Sequence, residues 1–146
     1  MQQRIALVSC VKSKQSVPSR ARDLYTSALF RGLRGYAEHQ ADEWFILSAQ
    51  YGLVHPDQKI APYEKTLNKM RKNERAAWAE KVMHELTEIL PEKAEVIFLA
   101  GVRYREGLVP LLRDMGHTVS VPLEGLSFGR QLQQLKELEA RGYGDR

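Results

Sequence analysis

The sequence predicts a three-layer α/β sandwich built on a mostly parallel, four-stranded central sheet. Three observations lead there. Short apolar runs that read as buried strands alternate along the chain with segments of helical period. Strands that alternate with helices close into parallel sheets through right-handed crossovers. The 146 residues suit one domain, taken as residues 1–146, with no repeat, linker or low-complexity tract to divide it.

The elements follow in order. Residues 4–9 (Arg-Ile-Ala-Leu-Val-Ser) form the first buried strand. A polar loop with Pro18 leads to a helix over 21–39, where Leu24, Ala28, Leu29, Leu33, Tyr36 and Ala37 share a face. Residues 43–48 are the second strand. The segment 49–72, with Gly52, Pro56 and Pro62, is too long for an idle connection. A helix over 73–90 is capped by Asn73, carries the stripe Trp78, Val82, Leu86 and Ile89, and stops at Pro91. Residues 95–100 form the third strand, and Gly101 turns the chain into a helix through Met115. Residues 117–121 are the fourth strand. A last helix, 127–141, places Phe128, Leu132, Leu135 and Leu138 on its buried face and ends at Gly142 and Gly144.

Composition excludes several classes. No apolar run approaches the ~20 residues of a membrane span, and the N-terminus has no signal-peptide core. One cysteine, Cys10, makes no internal disulfide, and it builds no metal cluster with four scattered histidines. A reducing cytoplasm is expected, with no metal, cofactor or membrane partner. The net charge of +4 is uneven: residues 1–40 carry seven Lys/Arg against two acids, the remainder 15 against 16. That asymmetry favours an anionic partner near the first quarter, although a solvated basic face gives the same count.

Four segments follow strand ends, which the fold gathers on one edge of the sheet, where ligands of such sheets bind. Ser9, Cys10, Lys12 and Lys14 offer charges and loop amides suited to phosphate, without the glycines of a P-loop. In the second segment Ser48 precedes Tyr51, Gly52 and His55. Gly52 permits close backbone approach, and the two rings suit stacking on a base. His55 also fits a plain turn before Pro56. Tyr63 and Glu64 extend this loop, as a pocket wall and a candidate acid/base or surface carboxylate. Gly101, Arg103 and Tyr104 stand where the third strand meets a helix start, a ready anion site. Glu124 ends the fourth strand, with Ser127 as an N-cap. Asp23 sits in a first helical turn, favoured there by the macrodipole or poised as an electrostatic stabiliser. Cys10 near lysines is either a reactive thiol or a buried one.

These blocks carry a resemblance. Ser9-Cys10-x-Lys12-x-Lys14, then Ala21-x-Asp23-Leu24-Tyr25-x-Ser27, then Ser48-Ala49-x-Tyr51-Gly52-Leu53 and Pro62-Tyr63-Glu64 resemble an uncharacterised bacterial and phage domain family. That family is in turn distantly similar to the uracil-DNA-glycosylase-like fold. The Gly-Gln-Asp-Pro-Tyr and His-Pro-Ser-Pro-type motifs of the glycosylases are absent, so the resemblance implies a fold and a nucleobase theme rather than a mechanism. The expected activity is cleavage or exchange at an N-glycosidic bond of a nucleotide, a nucleobase derivative or DNA, as in DNA modification or repair. Lys12 and Lys14 hold phosphate in that reading. Tyr51 and Tyr63 pack on a base, Tyr25 is a further substrate contact, and Asp23, Glu64 or Glu124 stabilises the cationic sugar or positions water. The second expectation is a nucleotide or nucleic-acid binding module without chemistry.

Overall fold

The computed structural model describes residues 2–9 and 14–143. The central sheet has five strands. The four expected ones are β1 (Gln3–Val8), β3 (Glu43–Ser48), β6 (Ala94–Leu99) and β7 (Thr118–Ser120), all parallel, and β4 (Gly52–Val54) is antiparallel at one edge. The spatial order is β4-β3-β1-β6-β7. β1 sits at the centre, in register with β6 from Gln3↔Ala94 to Val8↔Leu99 and with β3 from Ile5↔Glu43 to Val8↔Ile46.

Period-2 alternation divides the core between two faces. Ala6, Val8, Trp44, Ile46, Ile97 and Leu99 pack beneath α2 (Ala28–Gln40) and α6 (Phe128–Ala140). Ile5, Leu7, Leu47, Val96 and Phe98 face α3 (Lys72–Ile89) and α5 (Val109–Asp114). The result is three layers, as the sequence predicts. None of the described helices is long and apolar enough to cross a membrane.

The fifth strand comes from the long segment 49–72. Gly52 takes φ +79°, and the tight turn returns the chain so that Gly52 pairs with Ser48. A Cβ at Gly52 would also stand 2.5 Å from the Glu85 carboxylate on α3, so the hairpin seats directly on that helix. The same segment supplies β5 (Lys59–Ile60), paired with β2 (Ser19–Arg20), and a 3₁₀ turn at Leu67–Lys69.

Two expected helices are broken. The first divides into α1 (Ala21–Leu24) and α2, because Tyr25 leaves the helix to bridge Lys14. Ser27 then caps α2, accepting from the Phe30 amide at 3.1 Å. The helix after Gly101 divides into α4 (Val102–Arg105) and α5 around Gly107, whose absent Cβ would lie 2.9 Å from Ala79 of α3. α3 starts one residue earlier than expected. The Arg71 amide donates to Glu74 at 3.0 Å, so Arg71 rather than Asn73 stands at its cap. Ile89 and Phe128, expected in the core, are 40% and 44% exposed.

Candidate functional site

The chain leaves β1 toward β3 on one side and later enters β6 on the other. The strand order thus reverses direction between β1 and β6, which makes their carboxyl ends the switch point of the sheet. A cleft of about 640 Å³ opens there. Ser9 and Gly101 line its floor at the two strand ends. Leu29 and Leu33 of α2 form one wall, and Leu123, Leu126 and Phe128 form another.

Among the described residues, the polar side chains that shape the cleft are held in place. Arg105 is 15% exposed and donates from Nη1 to the Ala100 carbonyl at 2.8 Å, which aims its guanidinium along the end of β6. Its Nη2 stands 3.7 Å from Glu124, which is 68% exposed at the rim. Gln131 donates to the Leu126 carbonyl at 3.0 Å and shapes the loop into α6. Tyr104 lines the cleft and places its hydroxyl 3.4 Å from the Leu67 amide and 3.5 Å from Thr66 Oγ1.

A cluster of tyrosines lies at the end of β3. Tyr25 and Tyr63 join hydroxyl to hydroxyl at 2.5 Å. Tyr51 meets Tyr63 edge-on, with centroids 5.7 Å apart. The Lys14 ammonium lies 4.6 Å from the Tyr63 ring centre and 5.8 Å from that of Tyr25, within cation–π range. Burial pushes the Tyr25 phenol well above its ordinary pKa of 10.0, and the adjacent Tyr63 adds to the shift. Tyr63 is raised too, chiefly by burial, against the lowering effect of the Ser48 hydroxyl. Ser48, fully buried, accepts from the Gln50 and Tyr51 amides, while its carbonyl receives Trp78 Nε1 at 2.9 Å.

A third region is charged. Asp23 binds Arg20 at 3.1 Å and Arg34 at 3.4 Å. Asp57 binds Arg22 at 2.7 Å, and Glu38 lies 3.3 Å from Arg34 and 3.7 Å from Arg22.

The expected site residues thus fall into separate groups. Ser9, Gly101 and Tyr104 line the cleft, with Glu124 at its rim. Lys14, Tyr25, Ser48, Tyr51 and Tyr63 make the tyrosine cluster. Gly52 shapes the hairpin. His55 is exposed, accepts from the Asp57 amide at 3.1 Å and meets Phe45 edge-on. Asp23 belongs to the arginine network, and Glu64 is exposed. Cys10 and Lys12 lie outside the described residues. Among the described residues, no three His, Cys, Asp or Glu side chains group closely enough to hold a metal ion.

Sequence reasoning missed Arg105. Arg103, singled out instead, is 49% exposed and paired with Glu106 at 3.3 Å. The available signal was spacing: Arg105 lies one helical turn beyond Gly101, on the side that returns over the strand end.

A family model described as a family of unknown function (DUF6884) matches residues 5–137. The uncharacterized protein YfjM of Bacillus subtilis (strain 168) is 30% identical over 145 residues, spanning 90% of this chain and 92% of that protein. No solved structure matches the chain.

Proposed function

The chain belongs to that family of unknown function, DUF6884, and we propose that it binds a nucleotide or nucleobase in the switch-point cleft. One observation carries the reading. Among the described residues, the cleft joins apolar walls to one guanidinium, Arg105, pinned at the strand ends. Leu29 and Leu33 face one side of the base, and Leu126 and Phe128 the other. Arg105 takes the anionic group, with Ser9 beside it, an arrangement common to small-ligand sites. The sequence resemblance to the uracil-DNA-glycosylase-like fold supports the same ligand class.

Glu124 favours a second, catalytic reading. Of the three expected carboxylates, it is the one paired with a residue that lines the cleft, Arg105. In N-glycosidic hydrolysis it stabilises the cationic sugar as the base leaves, and water then adds to the anomeric carbon.

A thermal-shift panel of nucleotides, nucleosides and free bases tests both readings, because a bound ligand raises apparent stability. The expected result is a nucleotide hit whose affinity falls roughly tenfold or more in Arg105→Ala, the loss of a hydrogen bond to a charged group. The catalytic reading adds release of free base from the hit ligand, lost in Glu124→Gln with binding retained. A panel without a hit removes both readings.

A further inference from the structure

We propose that a second pocket, on the other edge of α2, is a binding site for a phosphate-type oxyanion. Its cavity is about 450 Å³, and Arg22, Arg31, Arg34, Thr26, Gln15 and Ser19 supply its polar lining. The proposal rests on the charge and geometry of this pocket, whatever occupies the switch-point cleft.

Three guanidiniums face one small cavity, and their neighbours decide what it accepts. Arg22 is drawn back by Asp57 at 2.7 Å and Glu38 at 3.7 Å. Arg34 is held by Glu38 at 3.3 Å, by Asp23 at 3.4 Å and by donation to the Arg22 carbonyl at 2.9 Å. These contacts fix both planes in advance of any ligand. Among the described residues, no carboxylate stands within ion-pair distance of Arg31, which is exposed at the mouth. Asp23 also lines the pocket, but Arg20 and Arg34 already neutralise it. The cluster therefore sets four arginines, Arg20, Arg22, Arg31 and Arg34, against Asp23, Glu38 and Asp57. One positive charge is left over, at Arg31.

One further feature favours a ligand. The floor is apolar, formed by Phe30 and Tyr25 at 0% and 3% exposure, which strengthens charge-assisted bonds made above it. A tetrahedral oxyanion fits these donors better than a planar carboxylate. Arg31 engages two oxygens as a fork, while Arg34 and the Thr26 hydroxyl reach others from different directions. Two sources share this chemistry: a free phosphate or phosphorylated small molecule, and the backbone of a single-stranded oligonucleotide.

Arginine Nε–Hε resonances of the full chain, titrated with inorganic phosphate and separately with a short oligothymidylate, decide the matter. Phosphate shifts the Arg31 and Arg34 signals saturably, sodium chloride of equal ionic strength does not, and Arg31→Ala weakens phosphate about tenfold. An oligonucleotide that shifts the same signals and competes with phosphate assigns the site to a nucleic-acid backbone. Phosphate binding without oligonucleotide binding assigns it to a small phosphorylated ligand. Equal shifts from chloride, or phosphate affinity unchanged in both Arg31→Ala and Arg34→Gln, overturn the proposal. Arg105 reports separately on the switch-point cleft, so failure at one site is not mistaken for failure at the other.

Discussion

Helix α2 serves two cavities with two of its edges, and they could hardly differ more. Leu29 and Leu33, four apart, wall the switch-point cleft, whereas Phe30, Arg31 and Arg34 line the arginine pocket. Among the described residues, the first cavity has shape and little charge. The second has charge that is largely cancelled within the protein. The cavity that the topology builds is lined, among the described residues, by no base of the sequence's first quarter. Of its bases, Arg4 pairs with Glu95, Arg20, Arg22 and Arg34 join the carboxylates around Asp23, and Lys14 rests against tyrosine rings. A charge count along a chain measures potential partners; the folded neighbourhood decides how much field remains.

The contrast can be broken from its base upward. Phe30→Ala has the largest expected effect, because the ring is fully buried beneath the arginine pocket and packs on Tyr25 with centroids 4.9 Å apart. It costs about 3–5 kcal/mol of folding stability, measured as a lower urea midpoint. If the midpoint is unchanged, the pocket has no rigid floor.

Next comes alkaline pH. The Tyr25 and Tyr63 phenols lie above 10.0 in the folded chain and titrate near it when exposed. Below pH 10 both states keep the protons, and this contribution to stability is fully present. Above it the unfolded chain releases protons that the folded chain retains, so stability falls as pH rises, by roughly 1.4 kcal/mol per pH unit per tyrosine. Tyr63→Phe makes that alkaline decline shallower. A decline as steep as that of the parent chain contradicts the buried pair.

Asp23→Asn has the smallest effect. Its ion pairs are about two-fifths exposed on the carboxylate side, and such pairs contribute about 0–1 kcal/mol. Ligand affinity in the switch-point cleft stays unchanged in this variant, as measured by calorimetry. A large loss there would tie the two cavities together.

Much of the fold was legible because burial on both faces writes itself as apolar runs: 4–9, 43–48, 95–100 and 117–121 match the parallel strands to within one or two residues at each end. β4 was not legible. Gly52-Leu53-Val54 is too short to show a period, and only the seat on Glu85 and the left-handed Gly52 explain it. The break at Tyr25 was hidden for a similar reason, since its cause is a bridge to Lys14, distant in sequence. In the site, Ser9, Gly101 and Tyr104 were readable because they directly follow strands. Leu29, Leu33, Leu126 and Phe128 were not, because a cavity wall and a core stripe use the same residues at the same spacing.

The central claim is that the switch-point cleft is where this protein takes its ligand. Methyl NMR of leucine-labelled protein, titrated with the best nucleotide from the thermal panel, tests it most directly. The account predicts saturable shifts confined to Leu29, Leu33, Leu123 and Leu126, reduced in Arg105→Ala. Shifts that cluster on the opposite face of the sheet, at Leu86 and Leu112, or that persist undiminished in Arg105→Ala, would contradict it.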